Sequence, residues 1–146
     1  MFLETGYVYH IKDEYFEFAK DEKLMKNHEN GSTRPTYFCI KNAESKILWF
    51  IPMSSKVEKY KTLQKQKIEK NGVCDTIVIG KYRRREAAFL IQNIFPITEK
   101  YIDHIDTIRD QAVAVVEGTQ SEIKNKVHKI FKLKSKRNKF NLPRCR

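Results

Sequence analysis

Hydrophobic and polar positions sort into short β-type runs over the first two-thirds of the chain and into helical stripes beyond. Gly6–Ile11, rich in aromatic and β-branched residues, predicts a strand. Asp13 is placed to cap a short helix carrying Tyr15, Phe16 and Phe18. A loop follows over Asn27–Arg34, with a turn signal at Asn30-Gly31-Ser32, and Pro35 closes it. Thr36–Lys41 and Lys46–Pro52 are β-type runs joined by Asn42-Ala43-Glu44-Ser45, which predicts a hairpin. Val57, Tyr60, Leu63 (or Gln64) and Ile68 recur at helical spacing over Val57–Lys70, and Gly72 is the stop. Thr76–Gly80 and Ala87–Ile91 return to strand character. Beyond Pro96, Tyr101, Ile105, Ile108, Ala112 and Val115 form one helical stripe ending at Gly118. Thr119 with Glu122 matches a capping box that opens a last helix, with Ile123, Val127, Ile130 and Phe131 on one face. Strands first and helices last predict an α+β fold with an antiparallel sheet. No repeat or linker divides the chain, so residues 1–146 read as one domain.

Composition supports a packed globule. Of 146 residues, 40% are hydrophobic and 12% aromatic, with only five Gly and four Pro, unlike a disordered chain. The longest apolar stretch, Ile47–Met53, is far short of the roughly 20 residues of a membrane span. Met1-Phe2-Leu3-Glu4 lacks the basic start and apolar run of a signal peptide. Cys39, Cys74 and Cys145 are scattered and odd in number, which predicts a reduced, cytoplasmic protein.

Charge changes the picture more. The formal net charge is +11, from 29 Lys and Arg against 18 Asp and Glu. From Ile123 onward there are ten basic residues and no acidic one, so the excess is almost wholly C-terminal. Lys124, Lys129, Lys132, Lys134, Lys136 and Arg137 belong to this run. Two further clusters are dense: Lys56, Lys59, Lys61, Lys65, Lys67 and Lys70, and Lys81 with Arg83, Arg84 and Arg85. Concentrated positive charge attracts polyanions and releases their counterions, which makes nucleic acid the first partner to consider. The six-lysine segment also fits a solvated helix face. The acid-free tail does not resemble an ordinary surface, which mixes both signs.

Chemistry is narrowed first by what is missing. No Gly-rich phosphate loop is present. His10, His28, His104 and His128 are isolated, with no ligand spacing, and read as surface or structural residues. No carboxylate cluster resembles a two-metal site, so neither a metal nor another cofactor is expected. The standout segment is Trp49-Phe50-Ile51-Pro52-Met53-Ser54-Ser55-Lys56, an apolar strand that delivers two hydroxyls and an ammonium at its exit. Hydroxyl donors and a compact cation suit a phosphate. The same residues fit a strand end with Ser55 capping the next helix. Arg34-Pro35, ahead of the preceding strand, is a second candidate, since Arg grips phosphate bidentately.

Three segments in this order resemble the ToxN/AbiQ toxins, the protein halves of type III toxin–antitoxin systems. They are Arg34-Pro35 entering an apolar strand, the Pro52-Met53-Ser54-Ser55-Lys56 exit, and Phe89-Leu90-Ile91-Gln92-Asn93-Ile94-Phe95-Pro96-Ile97. Ser54–Lys61 and Gln92–Ile97 look most like the CptN/TenpN branch. The resemblance implies a strongly curved antiparallel sheet related to the MazF/Kid toxins, with helices around it. It implies a metal-independent endoribonuclease that cuts cellular mRNA and its own repeat precursor. The products would carry 2′,3′-cyclic phosphate and 5′-hydroxyl ends. A pseudoknotted RNA antitoxin would inhibit the toxin within a closed protein–RNA assembly, and the outcome would be growth arrest, often as phage defence by abortive infection. The implied catalytic set is Ser54, Ser55, Lys56 or Lys59, and Arg34. Lys61, Lys81, Arg83, Arg84, Arg85, Gln92 and the C-terminal basic residues would hold RNA. Family members often carry the lysine two positions after the hydroxyl pair; here Lys56 follows directly, Val57 takes that place and Lys59 comes a turn later. The competing readings are a non-catalytic RNA- or DNA-binding protein using the same basic surfaces, and a metal-dependent nuclease.

Overall fold

The structure, a computed structural model, describes residues 3–19, 24–29, 32–42 and 44–141, with backbone alone at Glu29, Ser32 and residues 133–141. Along the chain, β1 (Val8–Ile11) leads to α1 (Asp13–Ala19) and a minimal hairpin of β2 (His28–Glu29) and β3 (Ser32–Thr33). The long strands β4 (Pro35–Lys41) and β5 (Leu48–Ser54) precede α2 (Val57–Asn71). A second hairpin, β6 (Ile77–Tyr82) and β7 (Arg85–Leu90), is followed by β8 (Phe95–Ile97) and β9 (Ile102–Ile105). A small hairpin, β10 (Thr107–Ile108) and β11 (Gln111–Ala112), then leads to α3 (Glu117–Asn141). The architecture is α+β, with an antiparallel sheet ordered β6-β7-β5-β4-β1-β9.

β5 organises this sheet. One of its edges pairs with β4 from Leu48 to Pro52. The other is shared: β8 takes Leu48–Phe50, and β7 takes Met53 and Ser54. Register shifts in β4 between Phe38 and Ile40, and in β1 after His10, add local twist. Successive residues face opposite sides of a strand, and here both sides are covered. Val8, Tyr37, Ile51, Met53 and Phe89 meet Ile123 and Val127 of α3. Tyr9, Phe38, Phe50, Phe95 and Ile102 meet Tyr15 of α1. Burial on both faces explains why β5 reads as an uninterrupted apolar run. Tyr60 of α2 closes a third cluster with Ile77, Ala88 and Leu90.

The β4–β5 hairpin and α2 match the sequence pattern, and Gly72 ends α2 in the left-handed conformation (φ 84°), its N–H on the Ile68 carbonyl. The helix expected over Tyr101–Val115 does not form. Ile102, Ile105, Thr107 and Ile108 are β-branched, and β1 offers an edge that Ile102, His104 and Ile105 pair with. The last helix begins at Glu117, before the expected cap. Thr119 therefore lies inside its first turn, where its side chain sits so close over Gly80 that a Cβ there would come within 2.6 Å. Gly80 is the close-approach glycine that docks α3 on β6.

Candidate functional site

β5 runs two residues past Pro52, so Ser54 is its last strand residue and Ser55 is the exposed link to α2. Both line an open groove of about 400 Å³. Ser54 is almost completely buried, and its Oγ accepts a 3.1 Å hydrogen bond from the Lys56 backbone N–H. Lys56, the residue at the N-cap of α2, makes no side-chain capping bond. The serines therefore close the strand-to-helix turn and border the groove at once.

The opposite wall comes from the β6–β7 turn. Arg83 and Arg84 both hold positive φ (59° and 64°), the two-residue geometry that hairpins usually give to Asn-Gly. Arg83 and Arg85 reach the groove, as does Glu86, which accepts a 2.8 Å ion pair from Lys61. That bond raises the Lys61 pKa.

The innermost part of the groove is a polar network. His10 of β1 directs Nε2 to the Asp106 carboxylate at 2.7 Å and Nδ1 to the Thr33 hydroxyl at 2.8 Å. The Tyr82 hydroxyl donates to the other Asp106 oxygen at 2.7 Å, and Arg83 Nε lies 3.4 Å from it. Arg83 also donates to the Thr107 carbonyl, and the Asp106 N–H donates to the Val8 carbonyl. The His104 ring stacks on His10 with centroids 4.5 Å apart. Burial pushes the Asp106 carboxyl up, but hydrogen bonds from His10 and Tyr82, with the Arg83 charge, outweigh it and leave the pKa below its ordinary value. Burial and the Asp106 bond raise the Tyr82 pKa. Asp106 is thus a retained carboxylate at neutral pH, held on three sides.

The expected site residues are distributed unevenly around this groove. Arg34 is buried behind the β5 exit, its Nε on the Lys26 carbonyl at 2.8 Å and its Nη1 on the Met53 carbonyl at 3.0 Å. Lys56 and Lys59 are exposed at the start of α2, and Lys59 lies over the Tyr60 ring. Lys81 and Arg84 are exposed on the hairpin. Gln92 accepts from Lys67 at 3.0 Å. On α3, Lys124 and Lys132 are exposed, and Lys129 pairs with Asp75 at 3.0 Å. The side chains of Lys134, Lys136 and Arg137, like Cys145, lie outside the described residues. Cys39 and Cys74 carry free thiols, and burial pushes that of Cys39 up to about 12. Among the described residues no three His, Cys, Asp or Glu converge as metal ligands, and no helix is long and apolar enough to cross a membrane. Sequence spacing missed His10, Thr33, Tyr82 and Asp106. The one local sign was an imidazole in an otherwise apolar and aromatic strand.

No described protein family and no curated protein sequence matches the chain. Among solved structures it is similar to AbiQ, a lactococcal anti-phage endoribonuclease belonging to the type-III toxin–antitoxin system. The two are 12% identical, and the likeness covers 88% of this chain and 82% of that one with a TM-score of 0.65. What this chain shares with AbiQ is the fold.

Proposed function

We propose that the protein is an endoribonuclease toxin of a type III toxin–antitoxin system. It cuts cellular mRNA and its own repeat precursor in the cytoplasm, without a metal, and is inhibited by a pseudoknotted RNA antitoxin in a closed protein–RNA assembly. The growth arrest that follows serves phage defence. The observation that carries this reading is the groove at the β5 exit, where Ser54 and Ser55 meet arginines and a His–Asp pair on an AbiQ-like fold.

The reaction is attack by an RNA 2′-hydroxyl on the adjacent phosphate, leaving a 2′,3′-cyclic phosphate and a 5′-hydroxyl. The nucleophile belongs to the substrate, so the protein orients the chain and stabilises charge on phosphorus. Ser55 and Ser54 contact the non-bridging oxygens. Lys56 or Lys59, at the start of α2, neutralises the charge that develops there. Arg34 holds the Met53 carbonyl and so fixes the strand exit from which both serines are presented. Arg83, Arg84, Arg85, Lys61, Lys81 and Gln92 hold the RNA on the hairpin side, and the α3 lysines hold it elsewhere.

The test is incubation of the purified protein with mixed-sequence RNA in excess EDTA, with end-group analysis. Discrete fragments bearing cyclic phosphate and 5′-hydroxyl ends are expected. Ser55→Ala should lose on the order of 10²–10³ in rate while keeping its melting temperature, because Ser55 is exposed. RNA that is shifted in a gel but left intact would show a binding protein instead.

A further inference from the structure

Two proton transfers are needed for the proposed cleavage, one from the attacking 2′-hydroxyl and one to the departing 5′-oxygen. Neither serine is a base, and lysines are protonated at neutral pH unless their surroundings change that. His10 is the imidazole that lines the groove, and its setting is specific. Asp106 accepts from Nε2 at 2.7 Å, so in the neutral imidazole the proton sits on Nε2 and the Nδ1 lone pair faces the Thr33 hydroxyl at 2.8 Å. Asp106 is itself held by Tyr82 and Arg83, so the carboxylate cannot swing away. This is the arrangement in which a carboxylate orients an imidazole and stabilises the imidazolium that forms when it takes a proton. The Thr33 side chain is a secondary alcohol, as the ribose 2′-hydroxyl is. It marks where Nδ1 receives a hydroxyl donor.

We propose that His10, oriented by Asp106, is the general base of this groove and takes the proton from the RNA 2′-hydroxyl, which replaces Thr33 as the donor to Nδ1. The inference rests on the ribonuclease reading above. As the O2′–P bond forms and the P–O5′ bond breaks, the 2′-hydroxyl proton passes to Nδ1. The departing O5′ takes a proton from water, and the imidazolium returns its proton to the hydroxide so formed. His10 is then neutral again and nothing is consumed. Asp106 acts as a positioning residue. Among the described residues, the titratable and charged groups facing the imidazole are Asp106, the stacked His104 and, through Asp106, Tyr82 and Arg83.

The experiment uses the full chain and an oligoribonucleotide that the wild-type protein cuts, prepared with oxygen or sulphur as the bridging 5′ leaving atom. Sulphur needs no proton to depart, so it rescues the loss of a general acid but not of a general base. His10→Gln should lose about 10²–10⁴ in kcat on both substrates, the usual worth of a positioned base, with RNA affinity within twofold. Asp106→Asn should lose kcat on both substrates with KM unchanged. Wild-type protein, which sidesteps any folding defect of the variants, should show a falling rate on the acid side that persists with the sulphur substrate. Wild-type cleavage rates in His10→Gln, rescue of that variant by sulphur, or an acid limb that vanishes with sulphur would each overturn the assignment while leaving the ribonuclease reading standing. A wild-type protein that leaves every RNA intact would remove that reading, and this inference with it.

Discussion

Arg34 offers the sharpest separation between a residue that holds the site and one that touches the substrate. Its guanidinium is buried and spans two backbone carbonyls, Lys26 on the 24–29 segment and Met53 one residue before the serine pair. Hydrogen bonds from a charged donor are worth about 1.5–3 kcal/mol each. Arg34→Ala removes both and leaves the carbonyls to find other partners, so the cost should be about 3–6 kcal/mol. That is a large share of the roughly 5–15 kcal/mol that holds a domain together. At about 2–4 °C per kcal/mol for a chain near this size, the melting temperature should fall by roughly 10 °C. Arg34→Lys keeps the charge but cannot span both carbonyls, and should fall between. The assay pairs thermal and urea unfolding with cleavage measured well below the lowered transition. Activity in Arg34→Ala should drop because the β5 exit loosens. An Arg34→Ala protein whose stability lies within about 0.5 kcal/mol of wild type, a normal surface effect, yet cuts nothing would refute this. The guanidinium would then act on the RNA phosphate rather than on Met53.

Three further outcomes follow from particular contacts. Asp106 has a folded pKa below its unfolded value of about 3.9, so the stability it contributes is present above that pH and is lost as pH falls through the folded value. Urea unfolding across pH 5 to 2 should show a steeper loss in wild type than in Asp106→Asn; equal slopes would show that the network does not favour the carboxylate. Arg84 holds a left-handed conformation that costs a side-chain-bearing residue about 1 kcal/mol, so Arg84→Gly should raise the melting temperature by roughly 3 °C, and a fall would count against the turn geometry. Lys124→Glu with Lys132→Glu should weaken RNA binding and flatten the dependence of log Kd on log salt, by about 0.7 per lost single-strand phosphate contact. An unchanged slope would take α3 out of the RNA surface.

Local pattern was enough where a segment's neighbours are local. The β4–β5 hairpin is a strand pair joined by a short turn, and α2 ends where Gly72 lets the chain turn. The segment beyond Pro96 failed because its partner is remote. Tyr101, Ile105, Ile108, Ala112 and Val115 have helical spacing, yet Ile105 pairs with Tyr9 and Ile102 with Ile11, contacts no local window contains. Its turn at Arg109-Asp110 takes positive φ at both residues (52° and 64°) without a glycine to announce it. The misread segment also concealed the site. Asp106 reaches His10 only because β9 lies against β1, so a helix over 101–115 leaves both side chains without their partner. The hydroxyl pair at Ser54-Ser55 was legible because strand, exit and helix start are contiguous in sequence. The charge of the C-terminal run was legible too, but its placement depends on how α3 docks.

That docking separates two basic surfaces. Lys126 donates to the Cys74 carbonyl and Lys129 pairs with Asp75, which fixes this part of α3 beside the start of β6. Arg83, which grips Asp106, lies just past the other end of the same strand. β6 is six residues long, or about 20 Å at the usual strand rise. An RNA that fills the groove and also reaches Lys129 would therefore have to run along the hairpin rather than fold into one compact contact. On the proposed reading, the groove would perform the chemistry on one phosphate, while the distant lysines would add affinity that is indifferent to which phosphate is being cut. Loss of the α3 charge should accordingly raise KM with kcat largely preserved, and loss of His10 or Ser55 should do the reverse. One basic patch serving both tasks would not permit that division. The strand between them does.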